Sequence, residues 1–389
     1  MRSLSLVLLL ASGTAVAEDH AGTASYDDGN GQGRGFVIQT EDAQFSLRFG
    51  GRVQPFFNTT ITPDETTSNF EIRRGRLQLD GNLWGKDGSY RFQADWGKGN
   101  ASIKDFFGEV ALGHHTWLRF GQFKKPFSRQ QITAFFRTEI SDRAITDRAF
   151  GAGRDIGVSL HNGYENSPTW EWTIGVFNGT GDVSKLEGVT AVVDDATGEV
   201  TVDSSKAKLG NVPREFQPIV VARIGHNRHN HGKLRGYSEA DLEGGPLRWG
   251  VGLSIQAEGD LDRDNKSNQK VELDYIVKVN GLSTTGGLYA QTAQDGNSVY
   301  DQGKSLVGFH VQAGYMVAKH WQLGGRYAAV GDTAVGGTQA TDQQELAITA
   351  NFYKHQHDAK FVWAVRLFKN GDAKFTDVVL VEVGANLGW

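Results

Sequence analysis

Apolar and polar residues alternate along most of this chain. In "AQFSLRFGGRVQPFFN" the odd positions Phe45, Leu47, Phe49, Val53 and Phe57 are apolar, and Gln44, Ser46, Arg48, Arg52 and Gln54 between them are polar. "PLRWGVGLSIQAEG" sets Leu247, Trp249, Val251, Leu253 and Ile255 against Arg248, Ser254, Gln256 and Glu258. "QKVELDYIVKVN" repeats the pattern, and a last alternating run ends at Trp389. A period of two places alternate side chains on opposite faces of a β-strand. About sixteen such segments can be traced, many near ten residues, the length a tilted strand needs to cross the hydrocarbon of a bilayer.

The links support a meander. Asn280-Gly281 is a type I′ hairpin signal. Residues 85–88 and 317–320 are other short links, and longer polar links over 60–69, 179–215, 259–268, 292–304 and 331–342 alternate with them. One link, 226–245, is long where a short turn is due. Within the 179–215 link, "VTAVVDDATGEVTVD" reads as a small hairpin. The pattern predicts an all-β protein, a transmembrane antiparallel β-barrel of about 16 strands. A soluble sandwich would also alternate, but a chain this long would need several sandwiches, and no linker composition separates them. Trp84, Trp96, Trp117, Trp170, Trp172, Trp321 and Trp389 cluster near segment ends, as in interfacial girdles.

Composition adds the compartment. "MRSLSLVLLLASGTAVA" joins Arg2, a short apolar run and an Ala-Val-Ala site, so residues 1–17 read as a secretory signal peptide. Residues 18–42, with "GNGQGRG", read as a flexible N-terminal segment, and 43–389 as the barrel domain. The 389-residue chain has no cysteine, so an exported fold must hold through packing and hydrogen bonds. The mean hydropathy of −0.40 does not argue against a membrane when only every second residue faces lipid. The outer membrane of a Gram-negative bacterium, with its lipid as partner, is the expected location.

A barrel this wide encloses water rather than a packed core. Its polar faces mix Arg48, Arg52, Arg74, Arg76, Arg91, Arg119, Arg223, Arg248, Arg326 and Arg366 with carboxylates. Any one of these arginines could equally be paired to a carboxylate on the next strand. The link over 124–154 is different. In a chain of net charge −5 it gathers Lys124, Lys125, Arg129, Arg137, Arg143, Arg148 and Arg154 against Glu139, Asp142 and Asp147. It also keeps "ITAFF" (Ile132–Phe136), Ala144-Ile145 and Ala149-Phe150, so it should pack against something. We expect this third outer loop to fold into the pore and to carry cations at its narrowest point, the arrangement by which pores select anions. No nucleophile elbow, Walker A or zincin motif is present, and none of the histidine pairs has the spacing of a structural metal site. His310 is the one strand-centred histidine that a barrel hydrolase could use. No cofactor, no nucleic acid and no catalysis is expected.

"FEIRRGRLQLDGNLWG" (Phe70–Gly85), "YRFQADW" (Tyr90–Trp96), "LRFGQFKKPFSRQQIT" (Leu118–Thr133) and "GAGRDIGVSLHNG" (Gly151–Gly163) together resemble the phosphate-selective porin O and P family. "GFVIQTEDAQFSLRFGGRVQ" (Gly35–Gln54) resembles that family's first strand. The resemblance implies a sixteen-stranded trimeric barrel of the outer membrane with the third outer loop in the pore. It implies that Arg73 and Arg74 are the family's paired arginines, Asp95 its acidic residue and Arg143 its anion-binding loop arginine. Gln131 and Phe136 stand where phosphate-specific members place lysines, whereas this chain has Lys124 and Lys125 earlier. The expected function is an anion-preferring diffusion porin for phosphate or related oxyanions. A weakly selective general porin is the alternative, and a barrel hydrolase is a third reading. The expected constriction residues are Arg73, Arg74, Arg76, Asp95, Lys124, Lys125, Arg129, Arg137 and Arg143.

Overall fold

The alternating segments pair into one antiparallel meander that closes on itself. A computed structural model describes residues 22–28, 34–179, 218–258, 268–293, 306–332, 343–371 and 373–389, with short pieces between 186 and 216. The expected signal peptide lies outside the described residues. Two strands come first, β1 (Thr23–Asp28) and β2 (Arg34–Gln39). Then follow β3 (Ser46–Ile61), β4 (Thr66–Leu83), β5 (Gly88–Asp95), β6 (Ser102–Gly113), β7 (Thr116–Lys124), β8 (Arg154–His161) and β9 (Trp170–Phe177). Short strands β10 (Leu186–Glu187) and β13 (Lys208–Leu209) pair with each other, as do β11 (Thr190–Val193) and β12 (Val200–Asp203). The β11–β12 pair is the small hairpin expected from the alternation there.

The second half supplies β14 (Ile219–Arg228), β15 (Arg248–Glu258), β16 (Asn268–Val279), β17 (Leu282–Ala293) and β18 (Leu306–Ala318). It ends with β19 (Trp321–Asp332), β20 (Gln343–His355), β21 (Ala359–Asn370) and β22 (Val378–Gly388). Strands β3–β9 and β14–β22 pair in chain order, β9 joins β14, and β22 closes on β3. The result is a closed barrel of 16 strands. Closure leaves no free edge, which is the condition for a sheet to lie in hydrocarbon.

The faces follow the alternation. Along β14, Ile219, Val221 and Arg223 are buried while Val220 and Ile224 are exposed. Exposed Phe106, Phe120, Leu253, Leu288, Phe309 and Ile348 belong to an outward apolar belt that requires lipid. Trp84, Trp96, Trp170, Trp321 and Trp389 are exposed at or next to strand ends.

Two sequence expectations differ from the structure. The 60–69 link contains strand: β3 and β4 run on to Ile61 and from Thr66. Its threonines favour extended backbone, and polar cross-strand pairs fasten the ladder, Thr59 Oγ1 to Ser68 Oγ at 2.9 Å and Asn58 to Asn69 at 3.2 Å. Segment 18–42, expected to be a flexible lead-in, carries the β1–β2 hairpin, and β2 pairs along β3 from Phe36↔Phe49 to Gln39↔Ser46.

Most inward arginines meet carboxylates. Arg48 pairs with Asp80 at 3.2 Å, Arg119 with Glu109, Arg248 with Asp241 at 2.6 Å and Arg326 with Glu345 at 2.6 Å. Arg223 reaches both Glu171, at 3.1 Å, and Asp274. Such buried pairs add little over an apolar core, but removing one partner is costly because a buried charge is left alone.

Residues 125–153, with short helices α1 (Arg129–Ile132) and α2 (Ile145–Phe150), lie buried against inward side chains. Ala144, Ile145, Ala149 and Phe150 pack on Tyr289, Leu306, Ala328 and Val330. Phe127 and Ala152 pack on Phe107, Phe123, Phe177, Ile219 and Val221. Two glycines on β18 make the seat. A Cβ at Gly308 would stand 2.5 Å from the Phe150 ring, and one at Gly314 would stand 2.5 Å from Glu139 Oε1.

Gly314→Val should therefore unseat this segment while leaving the barrel closed. Limited proteolysis should cut within 125–153 in the variant and not in the parent, with the heat-modifiable gel mobility of the folded barrel kept in both. Arg223→Ala, by contrast, should destabilise the barrel by about 3 kcal/mol and lower the temperature of that gel shift.

Candidate functional site

Arg73 and Arg74 are neighbours, and a regular strand would send them to opposite faces. A bulge prevents this. Arg74 pairs with Gln54 and Ile72 with Pro55, so Arg73 is the extra residue. Pro55 has no amide hydrogen to lose from the ladder, which suits the break. Both guanidiniums consequently meet the 125–153 segment. Arg73 donates to the Ser141 carbonyl at 3.5 Å and ion-pairs with Glu382 at 2.7 Å and Glu71 at 2.8 Å. Arg74 donates to Asp142 at 3.2 Å and Gln54 at 3.1 Å.

Arg76 pairs with Asp95 at 2.8 Å. Asp95 also accepts the amides of Gly75 and Gly97, at 3.1 and 2.9 Å, so it holds the strand end as well as the cation. Arg74 and Arg76 lie over the Phe135 ring, 4.8 and 4.1 Å from its centre, and Arg52 lies 3.5 Å over Phe136. The apolar tip of the segment thus docks on guanidinium faces, while their edges hold Asp358, Asp142 and Asp95.

Lys124 donates to the carbonyls of Gln131, Ile132 and Thr133 at 2.7, 3.0 and 3.3 Å. Arg143 takes two of the same carbonyls, Gln131 at 3.1 Å and Thr133 at 3.0 Å, and is 3.5 Å from Asp147. These oxygens close the end of α1, where helix carbonyls lack internal partners and attract cations. Arg76, Arg143 and Arg154 are the cations near enough to Lys124 to repel it. Arg154 is itself paired with Asp105 at 2.7 Å. Arg74 supplies the leading attraction on Asp142. Burial would raise the Asp142 carboxyl, but Arg74, Arg366 and Arg73 hold it well below the usual carboxylate range.

The structure therefore brings Arg74, Arg76, Lys124 and Arg143 together and adds Arg154. Three other expected residues do a different job. Arg73 is neutralised as described, Lys125 is buried 3.6 Å from Asp155, and Arg129 is buried with Asp274 at 2.5 Å and the Gly236 carbonyl at 2.8 Å. Arg137 stands apart. Its guanidinium makes no hydrogen bond or ion pair among the described residues and lies 5.3 Å over Phe136. Burial, then the nearby Arg52, lowers its pKa from the ordinary value. Arg91 on β5 likewise has no hydrogen bond or ion pair among the described residues.

Glu139 was not singled out from the sequence, and nothing local marks it. Its side chain is 1% exposed and accepts from Ser283, from Gln312 at 3.0 Å and from Gln322 at 2.6 Å. Burial, then the charge of Glu239, pushes it up to about 7. His310, the one histidine that a hydrolase could have used, contacts Thr146 and the Tyr289 hydroxyl, each at 3.3 Å, and serves as packing under α2.

The chain can now be compared with known proteins. No curated protein matches it. Among solved structures, the outer membrane channel DcaP of Acinetobacter baumannii is 14% identical, with a TM-score of 0.57 over 90% of this chain and 99% of that one. The trimer form of OmpT from Vibrio cholerae is 11% identical, with a TM-score of 0.56 over 89% of this chain and 99% of that one. OmpF of Salmonella typhi, in complex with daunomycin, is 10% identical, with a TM-score of 0.58 over 94% of this chain and 100% of that one. Those likenesses establish the barrel fold. The family model described as phosphate-selective porin O and P matches residues 47–365, most of the chain, so this protein belongs to that family and is an outer-membrane porin.

Proposed function

We propose that this porin prefers anions, passes phosphate or related oxyanions, and is narrowed by the 125–153 segment. One observation carries the preference. Among the described residues, the arginines at this segment that lack an ion-pair partner keep more access to water than the carboxyl groups that lack one. Arg91 and Arg137 are half-buried and Arg148 is exposed, whereas Glu139 and Glu239 are 1% and 4% exposed. A permeating ion would meet unbalanced positive charge. The clustered Arg74, Arg76, Lys124, Arg143 and Arg154 would add to it when an anion competes for their carboxylate and carbonyl partners. The name of the family supports phosphate as the solute. The trimer form of the similarly folded OmpT supports a homotrimer.

A weakly selective general porin is the second reading, favoured by the pairing of Arg48, Arg119, Arg223, Arg326 and Arg366 with carboxylates. Each pair contributes little net charge to the lumen, and the field felt by a solute would then be weak.

Reversal potentials in a potassium chloride gradient across a planar bilayer should show anion preference. Arg137→Ala should lower the anion-to-cation permeability ratio by at least about twofold, since a whole charge is lost at the narrowing. Cation preference in the parent would sink the proposal. Millimolar phosphate should also block the chloride current, and Arg143→Ala should weaken that block. No block by phosphate would favour the general porin.

A further inference from the structure

The long link at 226–245, which interrupts the alternation of turns, is explained by where it goes. Its loop, residues 229–247 between β14 and β15, stands at the same barrel end as the short Asn280-Gly281 turn, opposite the 125–153 segment. It is not a surface loop. Leu234, Tyr237, Ser238, Glu239, Ala240 and Asp241 are all buried. Tyr237 donates to Glu171 at 2.6 Å, Ser238 meets His357 Nε2 at 2.9 Å, and the Gly281 amide donates to Asp241 at 2.9 Å. These partners sit on β9 or in other turns, so the link is held on several sides.

It also meets the 125–153 segment. The Glu239 amide donates to the Arg137 carbonyl at 3.0 Å, and the Glu139 amide donates back to Glu239 Oε2 at 2.7 Å. Gln312 Nε2 donates to Oε2 of both carboxyl groups, at 3.0 Å to Glu139 and 2.7 Å to Glu239. Arg129 donates to the Gly236 carbonyl at 2.8 Å.

We propose that the 229–247 turn is a second inward element, which meets the 125–153 segment from the opposite end, forms the other wall of the narrowing and is latched to it through Glu139 and Glu239. This rests on the reading that the 125–153 segment narrows the lumen. Among their contacts with the wall are Asp274, Ser283, Gln312, Gln322, Asn351 and Lys360, on β16–β21.

The latch is sensitive to pH. Besides each other, the carboxyl pair faces Lys278 from β16, Arg326 through Gln312 on β18, Tyr353 from β20 and Lys360 from β21. Glu139 is raised to about 7, so its contribution to the contact is complete below its ordinary value near 4.5 and is lost as pH rises through about 7. Above that, two buried carboxylates repel across the contact.

The test uses single-channel recording on the full protein. Replacing residues 230–245 by an Asn-Gly turn should raise conductance by at least about twofold, because one wall is removed. Glu239→Ala, which leaves every strand intact, should raise conductance and open-channel noise in the same direction if the larger replacement fails to fold. Wild-type conductance should rise as pH increases through about 7, and Glu139→Gln should abolish that rise. Unchanged conductance in a folded turn replacement or in Glu239→Ala overturns the proposal. An effect of the turn together with unchanged selectivity in Arg137→Ala keeps the second wall and overturns the proposed role of the 125–153 segment instead.

Discussion

Every backbone amide and carbonyl in hydrocarbon needs a partner within the protein, and the pairing of β22 with β3 is what supplies the last of them. Closure fixes the remainder. Once the sheet is a cylinder, the two faces of each strand become lipid and interior, and the alternating pattern stops being a matter of propensity. Polar side chains from all sixteen strands must then share one enclosed space. Charge in that space has three outcomes. It can be paired across strands, as Arg48 with Asp80; capped by backbone oxygens, as Lys124; or left without a hydrogen bond or ion pair among the described residues, as Arg137. Under the proposed anion preference, the third outcome is the one a passing ion would meet.

The barrel was legible because its code is local and repeated. Strand faces, hairpin turns and the long 124–154 interruption could all be read from periodicity and turn residues. The apolar "ITAFF" correctly signalled packing, since Phe135 is buried and both phenylalanines lie under guanidiniums. The same kind of signal is present at 226–245, where Leu234, Tyr237, Ala240 and Leu242 break a polar run. Inward Ile219, Val221, Leu306, Ala328 and Val330 were a second signal: apolar residues on a water-filled face require a cover.

What stayed hidden depended on register and distance. A strict period of two would separate Arg73 from Arg74, and only the bulge opposite Gln54 and Pro55 reunites them. The family resemblance named the pair without giving that reason. Arg129 and Lys125 looked like free loop cations because Asp274 and Asp155 are supplied by other parts of the chain. Glu139 depends on donors from β17, β18 and β19, none of which lies near it in sequence. Partner assignment over such separations is a property of the closed cylinder, so it could not be read from neighbouring residues.

The seat made by Gly308 and Gly314 has a consequence for assembly. The 125–153 segment belongs to the fifth strand of the cylinder, yet it rests on glycines of β18 and on polar groups of β20 and β21. Contacts between residues so far apart in sequence pay their loop-closure entropy late. The segment can lock only after the C-terminal strands have come round to it. Closure of the cylinder therefore comes before the interior is packed, and seating of this segment is the last step of folding.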